Sequence, residues 1–184
     1  GIYSYVHSSP TITGCIISEN TASLEGGGVY CQSGNPTITD CTISGNEAKN
    51  NGGGICGFDS NPSIADCVIS GNTALRGGGA YCKNSNFTIT GCIISDNTAS
   101  SEGGGIYQYD DESFNSILSD TAVCGNDPDQ IYGTWTEDGD NTVQDICPTG
   151  ACCSSFEDFC VPGVLEVACL QWGGQWLGEA TSCD

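Results

Sequence analysis

The sequence predicts an all-β fold: a right-handed parallel β-helix of about five coils, followed by a small disulfide-rich tail. Two observations carry that prediction. Glycine triplets begin at Gly26, Gly52, Gly77 and Gly103, 25 to 26 residues apart, and other residue types keep the same interval. Cys15, Cys41, Cys67 and Cys92 form one column. Around each cysteine stand an isoleucine three residues before (Ile12, Ile38, Ile64, Ile89), an isoleucine two after (Ile17, Ile43, Ile69, Ile94), an asparagine five after (Asn20, Asn46, Asn72, Asn97) and an alanine seven after (Ala22, Ala48, Ala74, Ala99). A period of this length marks a solenoid, propeller or array.

The content of one repeat selects the solenoid. In Thr37-Ile38-Thr39-Asp40-Cys41-Thr42-Ile43-Ser44 apolar and small hydroxyl residues alternate, as on a half-buried strand. The alternation breaks once, at Asp40, whose counterparts Gly14, Asp66 and Gly91 are corner-forming residues. Two short strands therefore meet at a bend. A third follows the glycines, as in Val29-Tyr30-Cys31, and Asn35-Pro36 and Asn61-Pro62 mark a turn. Three strands per coil and no helical segment give a parallel β-helix. One coil cannot bury its isoleucines, but stacked coils bury continuous columns of them. The asparagine column is expected to form an amide ladder inside the turn.

The repeat continues through Ala122-Val123-Cys124-Gly125-Asn126, which matches Thr42-Ile43-Ser44-Gly45-Asn46, with Ser116-Ile117-Leu118 as the strand before it. Beyond that point a terminal cap is expected. The domains read as residues 1–146, repeats with a C-terminal cap, and 147–184, a cysteine-rich tail. Recurrent Asn-x-Ala followed by Gly-Gly-Gly-Ile/Val-Tyr, as from Asn20 to Tyr30, resembles the repeats of bacterial β-helix surface proteins, polymorphic outer-membrane proteins among them. The tail, from Gly150-Ala151-Cys152-Cys153 through Gly173-Gly174-Gln175-Trp176 to Cys183, resembles a cysteine-rich module that follows such helices in secreted planctomycete-type proteins. Members with these repeats range from adhesins to passive stalks, so the resemblance implies a fold more than an activity.

Charge and cysteine content narrow the function. With 23 acidic side chains against 3 basic ones, a formal charge of -20, the chain lacks the cationic footprint that nucleic acid requires. No apolar run approaches the roughly 20 residues of a helical span, so membrane insertion is not expected. Fourteen cysteines beside one histidine favour an oxidising, extracellular or cell-surface location over zinc binding. Cys124, Cys147, Cys152, Cys153, Cys160, Cys169 and Cys183 are the disulfide candidates, because a small tail needs staples. Cys15, Cys41, Cys67 and Cys92 read as inward apolar fillers whose spacing also permits disulfides.

An enzyme is not expected. Lys49, Arg76 and Lys83 are the only bases of the kind a lyase uses, and Asp40 and Asp66 merely occupy a corner. The residues expected to matter face outward. Tyr3, Tyr30, Tyr81 and Tyr107 form an aromatic column suited to glycans or another chain. Ile16, Thr42, Val68 and Ile93 form an adjoining stripe suited to a partner. Thr11/Thr13, Thr37/Thr39 and Thr88/Thr90 give paired hydroxyl rows of the kind that bind ice. Asp127, Asp129, Glu137, Asp138 and Asp140 offer oxygen ligands to calcium; no other cofactor is expected. The resulting reading is a non-catalytic extracellular structural or adhesive module, with a fibre subunit as one form of it and glycan or ice binding as alternatives. The first coil carries the full repeat without a cap, so the expected partner is another copy, end to end, or an upstream domain of a longer chain.

Overall fold

The computed structural model describes residues 1–6, 8–109 and 114–147, and the backbone of three further strands, Gly150–Cys153, Cys160–Val164 and Gln175–Glu179. The chain divides into two compact units, Gly1–Asp145 and Ile146–Asp184. In the first, strands pair in parallel with their counterparts one coil before and one coil after. Sheet A stacks Ile2–Tyr5, Val29–Gln32, Ile55–Phe58, Ala80–Lys83, Ile106–Gln108 and Ile131–Tyr132. Sheet B stacks Thr11–Thr13, Thr37–Thr39, Ser63–Ala65, Thr88–Thr90, Ser116–Ser119 and Trp135–Asp138. Sheet C stacks Ile16–Ser18, Thr42–Ser44, Val68–Ser70, Ile93–Ser95, Ala122–Cys124 and Thr142–Gln144. The all-β parallel solenoid of about five coils is as the sequence predicts.

Three details differ. Each of the first four coils has a fourth strand (Thr21–Ala22, Glu47–Ala48, Thr73–Arg76, Thr98–Glu102), which forms sheet D. Two-residue strands such as Thr21–Ala22 are too short for alternation to reveal them. The expected cap is a sixth, partial coil: Ile131–Tyr132, Trp135–Asp138 and Thr142–Gln144 each extend a sheet in parallel register. In the fifth coil the register is one residue later than the sequence suggests. Thr88, Ile89 and Thr90 face Ile117, Leu118 and Ser119, so Leu118 rather than Ile117 enters the core.

Backbone chirality sets the corners. The column between sheets B and C, Gly14, Asp40, Asp66, Gly91, Asp120 and Gly139, has φ from +48° to +70°, the left-handed conformation that glycine and aspartate tolerate best. The first glycine of each triplet turns likewise, at +62° to +66°. The second is needed for close approach. A Cβ on Gly27, Gly53 or Gly78 would stand 2.5 to 2.6 Å from a carbonyl oxygen of the next coil.

Isoleucines fill the interior, with Ile38, Ile43, Ile64, Ile69, Ile89 and Ile94 fully buried. One coil uses a compensated pair. Phe87 stands where the preceding coils have Pro36 and Pro62, and its buried ring occupies the space that a side chain on Gly57 would need. Gly57→Ala is expected to overpack this site and cost about 1–3 kcal/mol in urea denaturation, with Phe87→Leu as a second change restoring part of the loss.

In the second unit, Gly150–Cys153 pairs antiparallel with both Cys160–Val164 and Gln175–Glu179. The side chains of Cys152, Cys153 and Cys160, and all of Cys169 and Cys183, lie outside the described residues.

Candidate functional site: the axial ladders and outer faces

Three hydrogen-bonded ladders run along the stack. In the innermost, the backbone N–H and the side-chain Nδ2 of each asparagine both donate to the Oδ1 of the asparagine one coil on. From Asn20 through Asn46, Asn72 and Asn97 to Asn126 these distances are 2.9–3.0 Å. Each Nδ2 of Asn46, Asn72, Asn97 and Asn126 also donates to an isoleucine carbonyl, Ile17, Ile43, Ile69 and Ile94 in turn, at 2.9 Å. Gln130 closes the series: its Oε1 accepts from the Asn126 backbone N at 3.1 Å and from Nδ2 at 2.8 Å. The expected amide ladder is present, and it satisfies buried polar groups that would otherwise be costly.

Cys41, Cys67 and Cys92 fill the core as expected, while Cys15 in the first coil is exposed, and the column is also a second ladder. The backbone N–H groups of Cys15, Cys41 and Cys67 donate to the Sγ of the next cysteine, at 3.4–3.5 Å. Each thiol in turn donates to the carbonyl two residues before it, at 3.1–3.3 Å. The series continues through Thr121 Oγ1, which accepts from the Cys92 N–H at 3.2 Å, and Asn141 Oδ1, which accepts from the Thr121 N–H at 3.0 Å. Hydroxyl and amide groups in the same column identify its role as hydrogen bonding. A third, more exposed ladder joins Ser9, Asn35, Asn61, Asn86 and Asn115 through backbone N–H donors at 2.6–3.2 Å.

The aromatic column is continuous. Tyr3 stacks on Tyr30 at 5.0 Å and 9°, Tyr81 on Tyr107 at 5.1 Å and 10°, and Tyr107 on Tyr132 at 4.9 Å and 8°. Cys56 holds the middle position, and Phe58 from the next outward position bridges the gap, 6.1 Å from Tyr30 and 5.6 Å from Tyr81. Tyr132 and Phe58 escaped the sequence reading. The signal for Tyr132 was the pair Ile131-Tyr132, 25 residues after Ile106-Tyr107 but without a glycine triplet.

This face is less open than its pattern suggests. Tyr3 is 66 % exposed, but Tyr81 and Tyr107 are 4 % and 7 % exposed, forming a satellite cluster with Cys56. Parallel stacking uses the ring faces, so the middle of the column offers neither the faces nor the access that sugar stacking needs. Beside it runs a polar ridge. Asn51 donates to Glu25 at 3.0 Å, and Arg76 pairs with Glu102 at 3.3 Å. Tyr81→Ala is expected to cost about 3–4 kcal/mol in chemical denaturation, and Tyr3→Ala less than about 1 kcal/mol.

The adjoining stripe is also graded. Ile16 is 79 % exposed, Thr42 and Val68 are half-buried, and Ile93 is 2 % exposed, so no uniform apolar face exists along it. In sheet B, Thr11, Thr37, Ser63 and Thr88 are exposed, and Thr13 and Thr39 share a hydrogen bond of 3.0 Å. Ala65 and Ile117 interrupt the hydroxyl rows.

The acidic candidates are not gathered. Asp127 and Asp129 precede Ile131–Tyr132, Glu137 and Asp138 lie on Trp135–Asp138, and Asp140 follows. Asp129 accepts from the Gly103 N–H at 3.4 Å, and the Asp140 N–H donates to Asp120 at 3.0 Å. Among the described residues no three His, Cys, Asp or Glu side chains converge as a metal site.

Of the disulfide candidates, Cys124 and Cys147 are each disulfide-bonded. Cys15, Cys31, Cys41, Cys56, Cys67, Cys82 and Cys92 are free thiols. Burial pushes the Cys31 thiol up to about 12 and raises Cys56 and Cys82 well above the ordinary thiol range; burial also raises the phenols of Tyr30, Tyr81 and Tyr107. A folded pKa above the unfolded value favours the neutral form. The stability linked to these groups is therefore full below the unfolded thiol pKa of about 8.5 and is lost as pH rises toward 12. Denaturation midpoints are expected to fall steadily from pH 9 upward; a flat profile to pH 11 would contradict this assignment.

Compared with known families, residues 1–151 match the family model described as "Right handed beta helix region". No curated protein and no solved structure matches the chain.

Proposed function

The chain belongs to the right-handed β-helix family, and from that premise we propose that it is a non-catalytic structural module of an extracellular or cell-surface assembly. One observation carries the reading: two columns of interior polar groups bond coil to coil. The asparagine ladder runs from Asn20 to Gln130 and the cysteine column from Cys15 to Asn141. Such ladders tie each coil to its neighbours and resist bending, which suits a spacer or stalk. An adhesive contact, in this reading, belongs to the exposed rings Tyr3 and Tyr5 rather than to the whole aromatic column.

The net charge of -20 fits a solvated exterior that repels indiscriminate association. Immunogold labelling of intact cells of the source organism is the test. Label on the cell surface or in the surrounding matrix is the expected result. Label confined to the cytosol would overturn the reading, as would turnover of a polysaccharide by the purified chain.

A further inference from the structure

We propose that the cysteine ladder is a site of paired oxidation, in which Cys15 joins Cys41 and Cys67 joins Cys92 as disulfides that each fasten one coil to the next. The backbones around each pair are in direct parallel register: Thr13 faces Thr39 and Ile16 faces Thr42, while Ala65 faces Thr90 and Val68 faces Ile93. Neighbouring parallel strands lie about 4.8 Å apart, inside the range of Cα separations that disulfides bridge. Each sulfur also leans toward the preceding coil. The Cys41 Sγ lies 3.5 Å from the Cys15 backbone N, and the Cys92 Sγ lies 3.4 Å from that of Cys67.

The N–H to Sγ contact is alike at all three neighbouring pairs of the column, 3.4–3.5 Å, so the pairing follows from the count. Four cysteines occupy the column, and the fifth coil substitutes Thr121, so two bonds leave no odd thiol. Chemically, each bond takes two thiols and a low-molecular-weight disulfide. One thiol displaces half of that disulfide and forms a mixed disulfide; the second thiol displaces the other half. Two small thiols leave, carrying the two protons and two electrons that the cysteines give up.

Burial decides when this happens. Cys67 and Cys92 are fully buried, so their bond is set while the chain folds, before the column closes. The experiment refolds the full reduced chain in a mixture of oxidised and reduced glutathione. Remaining thiols are alkylated, and non-reducing peptide maps are read after cleavage at the acidic residues and at Arg76 and Lys83. The expected crosslinks are Cys15–Cys41 and Cys67–Cys92. Cys15→Ser keeps a hydroxyl in the ladder, as Thr121 does. It should abolish the first crosslink, leave Cys41 alkylated and retain the second. Four alkylated thiols in the folded wild type, or a Cys41–Cys67 crosslink, would overturn the proposal. Because the oxidant is supplied in the tube, the result does not depend on where the protein resides.

Discussion

Ile43→Asp is expected to abolish folding, whereas Thr42→Asp, one residue away, should be tolerated. Ile43 is fully buried between Ile17 and Ile69 in the columns of sheet C. An aspartate there would face aliphatic groups on both sides without a partner for its charge. That costs several kcal/mol even after the carboxyl neutralises, against a total stability of about 5–15 kcal/mol. Thr42 points away from the core and is only half-buried, so the same charge there changes stability by about 1 kcal/mol or less. Far-UV and near-UV circular dichroism with size-exclusion chromatography separate the two outcomes. Equal sensitivity at both positions would mean that the inward and outward faces are wrongly assigned.

Asn72→Ala is expected to cost about 3–6 kcal/mol. The Oδ1 of Asn72 accepts from both the backbone N and the Nδ2 of Asn46, and its Nδ2 donates to the Ile43 carbonyl and to Asn97. Removing the amide leaves two donors and a carbonyl unsatisfied where water does not reach, and each costs about 1–3 kcal/mol. Asn61 supplies the control. It too bridges coils, accepting from the Asn86 backbone N at 2.8 Å, but it is exposed and water replaces the lost bond. Asn61→Ala should therefore cost less than about 1 kcal/mol in the same urea titration. A similar loss at both positions would deny the inner ladder its special weight.

The parts of this fold that repeat were legible in the sequence, because a column that must face the core in every coil keeps one residue type. Ile38, Ile64 and Ile89, or Asn46, Asn72 and Asn97, announce both the period and the inward direction. What varied from coil to coil was harder to read. The fifth coil is longer, with 29 residues from Asn86 to Asn115 where earlier coils have 25 or 26, so a constant interval counted from Ile89 stops short of Leu118, which takes the inward position. The cysteine column read as apolar filling because cysteine buries easily. Its hydrogen-bonding role becomes visible only when Thr121 and Asn141 are aligned with it. Pattern also gives the direction of a side chain but not what covers it. Tyr81 and Tyr107 point outward as expected, yet stacking and the flanking turns bury them. Cys56 and Phe58 belong together for a related reason: a ring missing from one position is supplied from another, and no periodic count finds such an exchange.

The structural reading rests on the inner ladder holding the coils together as one stiff body, and exchange of the asparagine side-chain amides measures that directly. In native-state hydrogen exchange by NMR, the Nδ2 protons of Asn46, Asn72 and Asn97 should be protected as strongly as the backbone amides of Ile43, Ile69 and Ile94, and to a similar degree in all three coils. Opening one rung would then require opening its neighbours. The contrary result would be fast exchange of these carboxamide protons within a protected backbone, or protection that differs widely from one coil to the next. Either would mean that the coils open independently and that the ladder does not bind them into a rod.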